Sequence, residues 1–236
     1  MSYLIVILII GLIITIHELG HLIAAKISGI PVAVFSIGFG PKIIGIKIHE
    51  TEYRVSLVPI GGYVLPEIQD ENVFFSIPPS KRIIFSAGGI AANIILSFII
   101  YAAINLSVGL NGIGGAIMAS GSMLADIIFR TLAALAGVFS SPENLSGVVG
   151  LVKIGGDRLG TSLSGIAGFT ALISVNLAVF NLLPLPVLDG GKILMYLIEK
   201  ITPKAKKLHL PLSAAGWIVM LLMTIYATAH DIAKII

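Results

Sequence analysis

Two histidines flank a glutamate in His17-Glu18-Leu19-Gly20-His21, and no other spacing in this chain specifies chemistry so directly. On a helix, positions four apart share a face, so both imidazoles can reach one metal ion. Zinc suits that donor set, and the carboxylate between them lies where it can take a proton from a metal-activated water. The chain has five histidines and no cysteine, so disulfides and thiolate ligands are excluded. Any zinc must therefore be held by imidazole and carboxylate. The motif sits in Tyr3–Ala25, a run that is otherwise almost wholly apolar. Imidazoles and a carboxylate at membrane depth are costly, and they mark function by default. A solvated surface helix would need a polar face, and none runs along this stretch.

The elements that position these groups are membrane elements. Hydrophobic residues make up 56% of the chain, charged residues 11%, and the mean hydropathy is +1.03. A 236-residue chain cannot hide that much apolar surface in a water-soluble globule. The net charge of +3 makes no case for nucleic acid. The composition predicts an all-α polytopic membrane protein, one domain over 1–236, with about four transmembrane helices at roughly 3–25, 83–106, 165–183 and 212–229. The first stretch has no basic leader and is too long for a signal sequence, so it reads as a retained span. Lys and Arg concentrate between the first and second spans and between the third and fourth, which puts both termini outside the cytoplasm. His17 then lies about 21 Å along its helix, inside the bilayer and toward the cytoplasmic side.

Between the first two spans, Ser36-Ile37-Gly38-Phe39-Gly40-Pro41 reads as a Gly/Pro break. Lys42–His49 and Glu52–Val58 alternate as strands do, and the polar Glu50-Thr51 between them predicts a β-hairpin over 42–64. The edge of such a hairpin could pair with an extended peptide, or be an ordinary surface edge. In the second span, Ala87–Asn93 is a small-residue patch suited to close packing, with Asn93 placed to hydrogen-bond across helices. Ser107–Gly121 reads as a loop, and Met123–Val138 as a surface-lying or packed extra helix.

A second constellation closes the third span. Asn176 and Asn181 precede Pro184-Leu185-Pro186-Val187-Leu188-Asp189-Gly190-Gly191. The prolines break the helix before Asp189, and irregular backbone near a membrane is tolerated where it lines a polar cavity. Asp189 is the candidate third metal ligand, leaving one position for water; the competing reading is a helix cap. Asn176 and Asn181 could hold substrate backbone or a developing oxyanion, or simply bond neighbouring helices.

The pairing of His17-Glu18-x-x-His21 with Asn181-x-x-Pro184-x-Pro186-x-Leu188-Asp189-Gly190-Gly191 resembles the site-2 protease family of intramembrane zinc metalloproteases, peptidase family M50, in its RseP-like bacterial branch. Phe35–Pro41, Val58–Val64 and Asn144-Leu145-Ser146-Gly147 extend the resemblance over nearly the whole chain. It implies one zinc ion on His17, His21 and Asp189, Glu18 as general base and acid, and Asn181 and Asn176 supporting substrate. It implies a membrane-associated hairpin that presents substrate as an added strand. The implied substrates are transmembrane segments of membrane-tethered proteins, such as anti-sigma factors or signal-peptide remnants, in the lipid bilayer of a bacterial inner membrane. The chain departs from the family in lacking a PDZ domain between its second and third spans, and in having Gly88-Gly89 and Gly147-Val148 where the family has Gly-Pro. A non-proteolytic membrane zinc protein is the alternative. A transporter would need further ligands along the other spans, and the interiors of the second and fourth offer none.

Overall fold

A computed structural model describes residues 2–67, 71–109, 112–138, 148–158 and 162–233. The order of elements is α1 (Ser2–Ser28), β1 (Val32–Ile48), β2 (Thr51–Pro66), α2 (Glu71–Ser76), α3 (Pro79–Ser107), α4 (Gly112–Val138), α5 (Val148–Arg158), α6 (Leu163–Asn181), α7 (Asp189–Ile201), a 3-10 turn (Pro203–Leu208) and α8 (His209–Ala233). The Asn144–Gly147 motif lies outside the described residues.

Five helices are long and apolar enough to cross a bilayer: α1, α3, Gly112–Leu135 of α4, α6, and Pro203–Ala233. Against the expected spans of about four, α4 is an additional candidate. Much of the Gly- and Ser-rich stretch read as a loop is helical from Gly112 onward. Small residues are loop-formers in water, but they are common in membrane helices, where they let neighbours approach.

The hairpin also starts earlier than its alternation predicts. The first helix stops at Ser28, where Gly29 turns left-handed at φ +67° and Ile30 N–H returns to the Ala25 carbonyl at 2.9 Å. Ser36–Pro41 is not a break but part of β1. Both strands bend where Gly38, Gly40 and Gly61 take positive φ. The tight turn is at His49-Glu50, with His49 at φ +54°. The bends let one strand face two partners: Phe35 and Ile37 pair with Val64 and Gly62, and also with Tyr53 and Val55.

The chain divides into two compact units. One comprises 10–93 and 180–217, with a core of Leu22, Ala25, Ile30, Val32 and Phe35 against Tyr53, Val64, Ile77 and Phe85. At one corner of it Arg82, fully buried, bonds Glu199 at 2.6 Å and lies over the rings of Phe74, Phe75 and Tyr196. His209 reaches the same carboxylate at 3.1 Å. The other unit comprises 1–9, 94–179 and 218–236, centred on Leu124, Val175 and Val179. Within it Thr131 on α4 donates to the Asn176 side-chain oxygen at 2.8 Å, and Ser97 to the Ala171 carbonyl at 3.0 Å.

Candidate metal centre

The first unit contains His17, Glu18, His21 and Asp189. Their placement starts from glycine. A Cβ on Gly20 would strike the Gly88 carbonyl, and one on Gly88 would strike that of Gly20. The α1 and α3 backbones therefore touch beside the motif, as small residues permit in lipid. On the other side, Asn181 ends α6 and residues 182–188 carry the chain to α7. A Cβ on Gly190 would strike the Leu182 backbone and one on Gly191 the Leu185 carbonyl, so the glycine pair lets α7 begin tightly against the proline segment. Asp189 is the first residue of that helix. The position before it is Leu188, whose side chain makes no capping bond.

The Asp189 side chain turns toward the imidazoles. Its Oδ2 lies 3.0 Å from His17 Nε2 and 3.1 Å from His21 Nε2, and the two nitrogens are 3.2 Å apart. All three residues are buried, at 6%, 7% and 5% exposed, and no other group of three such side chains among the described residues is arranged to share a metal.

A cation fits this triangle. His21 Nδ1 lies 2.8 Å from the Phe85 carbonyl, which can only accept, so Nδ1 carries the proton. With His21 neutral, its Nε2 lone pair points at the Asp189 carboxylate, and a positive ion shared by the two atoms would satisfy both. Zinc bonds of ~2.0–2.1 Å at tetrahedral angles would set donor atoms roughly 3.3–3.4 Å apart, a few tenths of an ångström beyond the edges observed. The other Asp189 oxygen is 3.2 Å from Lys192 Nζ, one turn along α7.

Glu18 sits beside the triangle, and its Oε2 accepts a hydrogen bond from the Val64 backbone N–H at 3.1 Å. Gly62 packs against the same side chain, since a Cβ there would fall 3.8 Å from Glu18 Cγ. The hairpin segment 62–66 thus borders the motif. Asn181 belongs to this unit, at the entrance to the proline segment, whereas Asn176 belongs to the other unit and bonds Thr131.

Four partners escaped the sequence reading. Asn93 was read only as a packing and interhelical group, yet its Nδ2 is 3.3 Å from His17 Nδ1. The Phe85 carbonyl and the Val64 N–H are backbone groups and carry no sequence signal. Lys192 did carry one, since residues three apart on a helix are neighbours.

The chain is similar to known proteins over nearly its whole length. The description of peptidase family M50 matches residues 5–225. A Fusobacterium nucleatum protein named as a candidate zinc metalloprotease (FN1322) is 25% identical, with 100% of this chain and 99% of that protein covered. A Clostridium perfringens protein of the same description (CPE1693) is 26% identical over 93% of the chain and 95% of its own length. The "Membrane metalloprotease ARASP, chloroplastic" of Arabidopsis thaliana is 25% identical over 80% of the chain and 68% of its length. The first alignment runs to 337 positions against 236 residues, so it holds long gaps in this chain, in keeping with the missing PDZ domain. The chain belongs to peptidase family M50, the multi-pass membrane zinc metalloproteases of the site-2 protease type.

Proposed function

We propose that the 1–236 chain is a single intramembrane endopeptidase domain that cuts transmembrane segments of membrane-tethered proteins, with His17, His21 and Asp189 holding one zinc ion and Glu18 moving the proton. The observation that carries this is the meeting of His17 Nε2, His21 Nε2 and Asp189 Oδ2 at 3.0–3.2 Å beside Glu18. Zinc bound there supplies a Lewis acid that polarises a peptide carbonyl and lowers the pKa of water toward about 7. Glu18 then accepts a proton and returns it to the leaving amine. The hydrogen bond from Val64 fixes one carboxylate oxygen, leaving the other to serve the reacting groups.

A transmembrane helix hides its carbonyls in its own hydrogen bonds, so a substrate has to unwind. Pairing with the hairpin as an added strand would stabilise the extended form next to Glu18. Asn181, at the entrance to the proline segment, is the candidate to hold the substrate backbone; its bond to Thr131 leaves Asn176 the weaker one. The Lys and Arg distribution favours the hairpin and the α7 region toward the cytoplasm, and the family resemblance implies a bacterial inner membrane. Anti-sigma factors and signal-peptide remnants are the substrate classes in view.

The experiment is Glu18→Gln in the full chain, with zinc content and cleavage of a transmembrane reporter measured on the same sample. We expect one zinc per chain and cleavage down by at least ~10²-fold, as for loss of a general base. Wild-type cleavage by this variant would refute the assignment.

A further inference from the structure

The α3 helix supplies no metal ligand, yet three of its residues, each one turn from the next, face the imidazoles. The Phe85 carbonyl accepts from His21 Nδ1 at 2.8 Å. Gly89 leaves room for the rings, since a Cβ there would fall 2.6 Å from both Nε2 atoms. Asn93 places its amino nitrogen Nδ2 3.3 Å from His17 Nδ1. The two helices run antiparallel at this point, so 17 meets 93, 20 meets 88 and 21 meets 85. Each imidazole therefore turns Nε2 inward to Asp189 and Nδ1 outward to α3.

The two outer contacts differ in kind. A backbone carbonyl fixes the His21 tautomer outright. A carboxamide offers either an amino group or a carbonyl, interchanged by a half-turn about its Cβ–Cγ bond. Asn93 is fully buried, where a polar side chain is costly unless bonded. Its small neighbours Ala92 and Gly89 keep this face of α3 close to α1, and His17 sits within its reach.

We propose that Asn93 is a positioning residue for His17: with zinc bound its carboxamide is turned half round from the placement above, so that the side-chain oxygen, not Nδ2, meets Nδ1 and accepts its proton, which fixes the ring angle and leaves the Nε2 lone pair directed at the point shared with His21 and Asp189. This rests on the reading of those three side chains as zinc ligands. Outer partners of this kind commonly contribute 10–100-fold in metal affinity.

The test uses the full chain in detergent. Zinc affinity is measured by chelator competition, and the cobalt-substituted protein is recorded by visible absorption. Asn93→Leu, close in volume but unable to accept a proton, should lose roughly 10–100-fold in zinc affinity and shift the cobalt bands. Asn93→Asp, which can accept from Nδ1–H, should restore affinity to within a few-fold of wild type. His17→Ala is the control and should abolish tight binding. If His17→Ala binds zinc as wild type does, the ligand reading itself fails. If it behaves as expected while Asn93→Leu keeps wild-type affinity and spectrum, the Asn93 proposal alone is overturned. Should Asn93→Leu not fold, nitrogen NMR of labelled histidine in the zinc-loaded wild type decides: His17 protonated on Nδ1 supports the proposal, and on Nε2 overturns it.

Discussion

Asp189 presents its two oxygens to different partners, Oδ2 to the imidazoles and Oδ1 to Lys192. Asp189→Asn keeps the shape but removes the anion, so a metal would face one neutral oxygen or an amide N–H. We expect zinc to fall below one per chain under mild chelation, measured by elemental analysis, with the melting temperature in chelator little changed. Lys192→Met should act more gently, because the ammonium is partly exposed and the lost interaction is with the oxygen turned away from the triangle. A several-fold loss of zinc affinity is expected, and Lys192→Arg should recover it. At this scale the sequence was legible where spacing along one helix decides, as with His17, Glu18 and His21. Asp189 was half legible, because proline and glycine mark a broken helix but do not tell a ligand from a cap. Asn93 was not legible in its contact with His17, because that contact depends on how two helices lie side by side.

The elements owe their approach to hydrogen in place of side chains. Gly20 and Gly88 meet backbone to backbone. Gly88→Leu should drive α1 and α3 apart and impair zinc binding without touching a ligand, whereas Gly114→Leu, at an open position on α4, should leave it intact. Chelator competition on both variants checks this. The buried Arg82 is a second element-level feature, since Lys81-Arg82 opens an apolar span where a basic pair would serve as an interfacial anchor. Charge and position in the chain suit an anchor, but they do not reveal a carboxylate on α7 and three rings waiting to receive it. Arg82→Leu leaves Glu199 buried without its guanidinium, a loss of about 3–5 kcal/mol, and should lower the melting temperature sharply. Arg82→Leu combined with Glu199→Leu should recover much of it. The hairpin itself was legible from alternation, but not its first ten residues. Glycines with positive φ read as a break when seen in one dimension, and as a bend once a partner strand is present.

Across the whole molecule, the helical membrane architecture followed from apolar run lengths, and the loop reading that failed fell on a helix rich in small residues. The absence of cysteine makes sidedness directly testable. Single cysteines at His49, on the hairpin turn, and at Lys206, before α8, should be labelled by an impermeant maleimide from the cytoplasmic side of inverted vesicles. A cysteine at Gly109, after α3, should be labelled from the opposite side. Labelling of His49Cys and Gly109Cys from the same side would contradict the proposed orientation.

Arg82 and Glu199 do more than fill a corner. The helix that begins near Arg82 carries Phe85 and Asn93, and the helix that holds Glu199 begins at Asp189. Joined at 2.6 Å, they act like the locked jaw of a caliper, setting the gauge between the wall that aligns the rings and the wall that brings the carboxylate. On the proposed activity, a gap held at that gauge leaves the bent ribbon, whose Val64 already touches Glu18, as the side from which an extended chain would reach the site.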